Sequence, residues 1–380
     1  MKKNLLKSEG IQTFLASLVC IFLGLFIGFI VLLFINPAGA FEAISAVIKN
    51  FFNYSRANLQ LKNFGNTLVK TAPLLMCALS VLFCYKVGLF NIGAAGQYVV
   101  GSCISIYAAL SWGMPWWACL LLAVLVGAVY GAIVGFLKSY CNVNEVISGI
   151  MLNWIGLYTT NMILNAVKDG ASPYTLHLKD YAPQALLPTL GLDKLFAGNT
   201  YVSLAIPLVI VIAILLKVIL DKTRFGYELK ATGFNKHAAK YSGMAERRNI
   251  ILTLAIGGAL AALGGGLLYL TDYEQWACTQ SSVPGMGFNG IAAAFLGGLN
   301  PIGAIFSSFF IQHITDGGQY VNTNFYSSQI SDLISSVIIY LCGFVLFIKI
   351  TMTNMINRSE EKKNRKLKAA EAASGKEGDK

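Results

Sequence analysis

TFLASLVCIFLGLFIGFIVLLFI, Thr13–Ile35, is 23 residues without a charge. As a helix rising about 1.5 Å per residue it covers roughly 35 Å, the full depth of a bilayer's hydrocarbon core. It follows Lys2, Lys3 and Lys7, and Ala38-Gly39-Ala40 beyond it resembles a signal-peptide cleavage site. Signal-peptide apolar cores are only about 7–15 residues long, so the stretch reads as an uncleaved first membrane span.

The whole chain agrees with that start. Of 380 residues, 56 % are apolar and 12 % charged, with a mean hydropathy of +0.61. Soluble domains carry about 25 % charge, so this chain cannot cover itself with groups that water solvates well. It is too apolar for disorder. Eight cysteines in 380 residues are too sparse for a disulfide scaffold. Most of them sit inside apolar runs, without CxxC or metal-ligand spacing, and read as small core residues.

Further apolar segments lie at roughly 66–87, 97–112, 115–137, 145–166, 200–219, 249–271 and 329–350. Two shorter pieces, 287–299 and 301–317, flank Asn300-Pro301. Counting each as a crossing gives ten in all. The expected fold class is therefore all-α, a polytopic membrane helix bundle with some short or broken helices. Of 29 Lys and Arg, three precede the first span, seven lie between Lys222 and Arg248, and eight between Arg358 and Lys380. Under the positive-inside rule both termini and the 220–248 loop face the cytoplasm, which an even number of crossings allows. Lys49, Arg56, Lys62, Lys70, Lys168, Lys179 and Lys194 fall to the outer side. The net charge of +11 is thus a topology signal, and nucleic acid is not expected as a partner. Two domains of unequal weight follow: a membrane-embedded body at 1–350 with a cytoplasmic loop at 221–248, and a basic tail at 351–380. The outer segments are 36–65 and 167–199, the second reading as an ordered cap.

Polar residues inside spans are costly and therefore informative. Glu145, Gly149, Asn153, Gly156 and Thr160 recur at helical steps on one face, as do Ser308, Gln312, Asp316 and Gln319. Such stripes either line a water-filled path or hold helices together. Gly127, Gly131 and Gly135 allow close helix approach. Val87–Gln97 is too rich in glycine for a regular helix, and its Phe90-Asn91 followed by small residues is echoed at Phe288-Asn289. Broken helices in two inverted repeats give this pattern near a substrate path. In the basic loop, Asn235 can cap a two-turn helix that Gly243 ends. So short a helix needs a partner surface.

Catalytic signatures do not appear: the chain has no P-loop and no HExxH, and its three histidines are scattered. Gly285–Gly290 fits GxGxxG without the strand–helix frame that gives the motif meaning.

Three stretches, Lys86–Gln97, Asn144–Asn153 and Gly287–Gly303, together with the loop Thr223–Met244, resemble the membrane permeases of ABC importers. The resemblance is to the ribose, branched-chain amino-acid and nucleoside branch, and within it to nucleoside permeases that work with a basic-membrane-protein lipoprotein. It implies two permease subunits, a separate ATP-binding subunit with two fused cassettes, and an extracellular substrate-binding lipoprotein. ATP would be consumed by the partner; no cofactor is expected on this chain and no bond chemistry. Phe90, Asn91, Gln97, Glu145, Asn153, Phe288, Asn289 and Asn300 are the candidate pathway residues. Gly226, Leu229, Ala231, Gly233, Asn235, Ala238, Ala239 and Gly243 are the candidates for coupling to the ATPase. Ala95 stands where the family usually has an acidic residue. Purine nucleosides are the first expected cargo. A simple sugar such as ribose, an autoinducer, or an ion-coupled mechanism using Glu145, Asp316 and Asp332 are the alternatives.

Overall fold

In the computed structural model the described residues are 9–327, 333–334, 336–337, 340–341, 343–345, 347–355 and 358. The N-terminal lysines, Asp332 and nearly all of the basic tail lie outside them. The helices run α1 (Glu9–Ile35), α2 (Ala40–Lys49), α3 (Ala57–Lys86), α4 (Ala94–Leu110), α5 (Trp116–Tyr140) and α6 (Glu145–Leu164). Two one-turn helices, α7 (Leu178–Tyr181) and α8 (Leu192–Leu195), precede α9 (Ala205–Lys222), α10 (Arg224–Phe234), α11 (Lys236–Tyr241) and α12 (Glu246–Tyr269). The series closes with α13 (Met286–Leu296) and α14 (Pro301–Gly317). Among the described residues there is no strand, only two isolated β-bridges. The bundle is all-helical. The part of α1 from Leu15 to Ile35, together with α3, α5 and α12, is long and apolar enough to cross a membrane.

The core is built by close backbone approach. α12 packs against α3, α4 and α5 at once. A Cβ added to Gly131 would run into the Leu254 carbonyl, and one on Gly258 into the Gly127 carbonyl. Lipid supplies no hydrophobic drive between helices, so small residues that admit backbone contact must provide the dispersion energy. The other face of α5, with Leu125, Val129 and Phe136, is exposed, as a lipid-facing side should be.

Two ends can be distinguished. The cap end carries residues 165–204, and the basic end carries α10 and α11. The cap is ordered by specific bonds. The indole N–H of Trp276, fully buried, donates to Asn161 Oδ1 at 2.9 Å. Asp272 accepts from the first backbone N–H groups of α7, Leu178 at 3.1 Å and Lys179 at 3.3 Å. The segment 36–65, read from sequence as an outer connection, is itself largely helical: α2, then the first turns of α3. α2 lies across the end of α14, where Gly317 meets the Val47 carbonyl.

Two of the shorter apolar helices, α4 and α13, start inside the bundle. α13 has 11 residues and rises only about 16 Å, so 270–285 must carry the chain inward from the cap end before it begins. α4 starts inside the bundle too, because Asn91, just ahead of it, bonds to Ser80, roughly 9 Å inward from Lys86. α4 and α13 then run in opposite directions from a shared point, where Gly287 sits directly on the Ala95 backbone. Their N-termini, each carrying partial positive charge, therefore abut near mid-bundle. This is the geometry expected of inverted repeats around a central site.

Candidate functional site

The turn 87–97 is the hub of the molecule. Asn91 Nδ2 donates to Ser80 Oγ at 2.9 Å and to Gln97 Oε1 at 2.8 Å, and Gln97 Nε2 returns a bond to Asn91 Oδ1 at 3.2 Å. Ser80 Oγ in turn donates to the Gly257 carbonyl at 2.6 Å, which ties the turn to α12. The residue ahead of α4, Gly93, has no side chain with which to cap it. The cap is supplied from another helix. Asn153 Oδ1, on α6, accepts from Gly96 N–H at 2.7 Å, while its Nδ2 donates to the Ile92 carbonyl at 3.1 Å. One asparagine thus satisfies a helix-terminal donor and a neighbouring carbonyl. Gly149 makes room for it by letting α6 touch Gly93.

The predicted pathway residues divide accordingly. Asn91, Gln97 and Asn153 are buried, at 2 %, 1 % and 2 % exposure, and bond to one another's elements within the subunit. The α6 stripe of Gly149, Asn153, Gly156 and Thr160 faces inward, whereas Ile147, Met151, Trp154, Tyr158 and Met162 on the opposite side are exposed. Phe90 and Asn289 are half-buried and Phe288 is exposed. Glu145 pairs with Lys138 at 2.7 Å in the first turn of α6. Asn300 caps α14, its Oδ1 accepting from Ile302 N–H at 3.0 Å ahead of Pro301. Ala95 is fully buried under Gly287, so a longer side chain there would need α13 to move.

The basic loop is a helix pair. Thr223 caps α10 through Gly226 N–H at 3.1 Å, and Asn235 caps α11 by accepting from His237 and Ala238, both at 3.0 Å. Gly243 follows with φ +80°, the left-handed conformation that glycine adopts without strain. Gly226 lets α10 lie on the Ile219 carbonyl of α9, and Leu229 is fully buried. Thr232 accepts from Asn249 of α12 at 2.9 Å. Gly233 touches the Val87 carbonyl and Gly88, the first residues of the hub turn. Ala231 is half-buried and Ala239 is buried, while Ala238 is exposed. Phe234 and Tyr241 project almost wholly into solvent, at 92 % and 93 % exposure.

Sequence reasoning missed a charged cluster near the cap end. Lys70, read above as falling to the outer side, lies within α3 with its side chain only 17 % exposed. Its Nζ is 3.5 Å from Asp316 of α14 and 3.6 Å from Glu274. Gln312 Nε2 also donates to Asp316 at 3.0 Å, and the Tyr273 ring lies 5.4 Å from the ammonium. Burial pushes the Tyr273 phenol up, with Lys70 pulling the other way. The partners are far apart in sequence, so no local pattern announces them. Lys70→Met is expected to destabilise the chain by about 3 kcal/mol, because it strands a buried carboxylate. Lys70→Met with Asp316→Leu should recover most of that loss in thermal unfolding of the purified chain.

Comparison with known proteins places this arrangement. Residues 63–343 match the family described as branched-chain amino acid transport system / permease component. The chain belongs to this permease family. Its work is therefore passage across a membrane, as a subunit served by a separate ATP-binding subunit and a substrate-binding protein, and not bond chemistry. It is 30 % identical over 370 residues to the nucleoside ABC transporter permease protein NupB of Lactococcus lactis subsp. cremoris, covering 93 % of this chain and 98 % of that one. The guanosine ABC transporter permease protein NupP of Bacillus subtilis is 30 % identical over 87 % of this chain and 92 % of its own. The glucose ABC transporter permease protein TsgB13 of Haloferax volcanii is 30 % identical over 69 % of this chain and 71 % of its own. No solved structure matches the chain.

Proposed function

We propose that this permease imports nucleosides, purine nucleosides first, as one of two membrane subunits above an ATPase with two fused cassettes. An extracellular lipoprotein delivers the cargo. The near end-to-end match to permeases named for nucleosides and guanosine is the observation that carries the choice of cargo. The basic end, with both termini, faces the cytoplasm; the charge distribution supports this. The cassettes grip α10 and α11, with Phe234 and Tyr241 as the aromatic anchors that such interfaces favour. Their motion reaches the hub turn through Gly233, and from there α4, α6 and α13. The path runs where the abutting helix ends and the second subunit meet. Phe288 and Asn289 contact cargo, Phe90, Glu145 and Asn300 border its route, and Asn91, Gln97 and Asn153 hold the turn from behind. The exposed Met151, Trp154 and Tyr158 face the second permease subunit.

Uptake in a strain lacking its own nucleoside transport, supplied with this chain and its partner subunits, tests the reading. Saturable uptake of labelled guanosine and adenosine is expected, abolished when this chain alone is withheld. Uptake of ribose or glucose without nucleosides would shift the cargo to sugars, a reading the TsgB13 match keeps alive. The ion-coupled alternative has lost ground, since Glu145 and Asp316 are both held by lysines.

A further inference from the structure

At the basic end a cavity of about 620 Å³ opens between α1, α9, α14 and the helical residues 347–355. Four lysines from four different segments line it: Lys86, Lys217, Lys230 and Lys349. One carboxylate answers them. Asp221 lies 3.6 Å from Lys217 and 3.6 Å from Lys230. Four charges against one leave a formal excess of +3 around a single cavity. Lys86, exposed, is within electrostatic range of Asp221 as well as of all three other lysines, and among the described residues neither it nor Lys349 forms an ion pair. Like charges do not converge on a cavity without cost, so the arrangement calls for an anion. The first turn of α14, Pro301 to Gly303, also lines the cavity, and its helix dipole has the sign that favours negative charge.

The rest of the lining identifies the class of anion. Ile21, Phe306 and Phe310 form an apolar wall, and Phe306 is 70 % exposed on the side of the bundle. A hydrated free anion gains nothing from such a wall. An acyl chain does, and its phosphate would lie level with the lysines.

We propose that this cavity binds a phosphate group, carried by an anionic phospholipid whose acyl chain lies along the apolar wall. The proposal needs only the membrane location and is independent of the cargo. Where α10 couples to the ATPase, the bound phosphate also clamps Lys230 of α10 to Lys86, immediately before the hub turn.

The test is native mass spectrometry of the full-length chain released from mixed phosphatidylglycerol and phosphatidylcholine bilayers. Wild type is expected to retain phosphatidylglycerol over phosphatidylcholine. A basic residue near an anionic surface is worth about fivefold in affinity, so Lys86→Gln with Lys349→Gln should weaken retention about 30-fold. Lys86→Arg with Lys349→Arg should keep it, which excludes misfolding as the cause. Lys236→Gln with Lys240→Gln, on the exposed α11 outside the cavity, should also keep it. Displacement of the lipid by millimolar inorganic phosphate would assign the same site to free phosphate instead. Equal retention of the two lipids, or equal loss in the α11 variant, would overturn the proposal, and neither outcome would touch the transport reading.

Discussion

Gly233→Val is expected to disconnect the transporter from its ATPase while leaving the permease folded. The physical reason is a backbone contact. A Cβ at 233 falls on the Val87 carbonyl and on Gly88 N, and neither is the end of a flexible side chain. The helix must lift or tilt, at a cost of about 1–3 kcal/mol, the range for overpacked contacts. The last turn of α10 ends in the exposed Phe234, so that cost falls first on this turn's contacts with Val87 and Asn249. Substrate-stimulated ATP hydrolysis of the reconstituted transporter should fall at least about tenfold, toward the unstimulated rate, and uptake should fall with it. The thermal midpoint of the isolated permease should move by only a few degrees. Tyr241→Ala gives the complementary result: it weakens association with the ATPase but leaves the contact with Val87 intact. Full stimulation in Gly233→Val would show that motion does not pass through this contact, and the coupling role of α10 would be lost.

Much of this could be read in the sequence because membrane physics leaves few options. A charge-free run such as Thr13–Ile35 must span, and a glycine row such as Gly127, Gly131 and Gly135 must pack. The caps were legible for the same reason: Asn235 before a short helix and Gly243 after it are local chemistry, decided within a few residues. What escaped was long-range. A period of 3.6 shows that Gly149, Asn153, Gly156 and Thr160 share a face, but not whether that face meets water or another helix. Only the seating of Gly149 against Gly93 shows that it turns inward. Lys70 can be placed on the outer side from the sequence but not paired, because its neutralising partners, Asp316 and Glu274, come from the other half of the chain. α13 is legible as a short piece ahead of Asn300-Pro301, but nothing local shows that its start seats on Ala95 of α4.

Asn153→Ala should be the most damaging single change outside the packed glycines. Truncation leaves the Gly96 N–H and the Ile92 carbonyl without their cross-helix partner, in a place where asparagine is 2 % exposed and water has little access. Each stranded group costs about 1–3 kcal/mol, so the pair amounts to roughly 2–6 kcal/mol. The loss is concentrated at the start of α4, where Gly93 offers no substitute cap. The hub turn should loosen, and uptake should fall below about one tenth of wild type even where the chain still reaches the membrane. Hydrogen exchange at Gly96 and its neighbours reports the loosening directly. Thiol labelling then separates support from passage. A cysteine at 153 should resist a permeant thiol reagent, whereas one at 288, where Phe288 is 40 % exposed, should react and be protected by substrate. Ready, substrate-sensitive labelling at 153 would instead put that side chain in the path, and the hub would have to open during transport far more than its hydrogen bonds now allow.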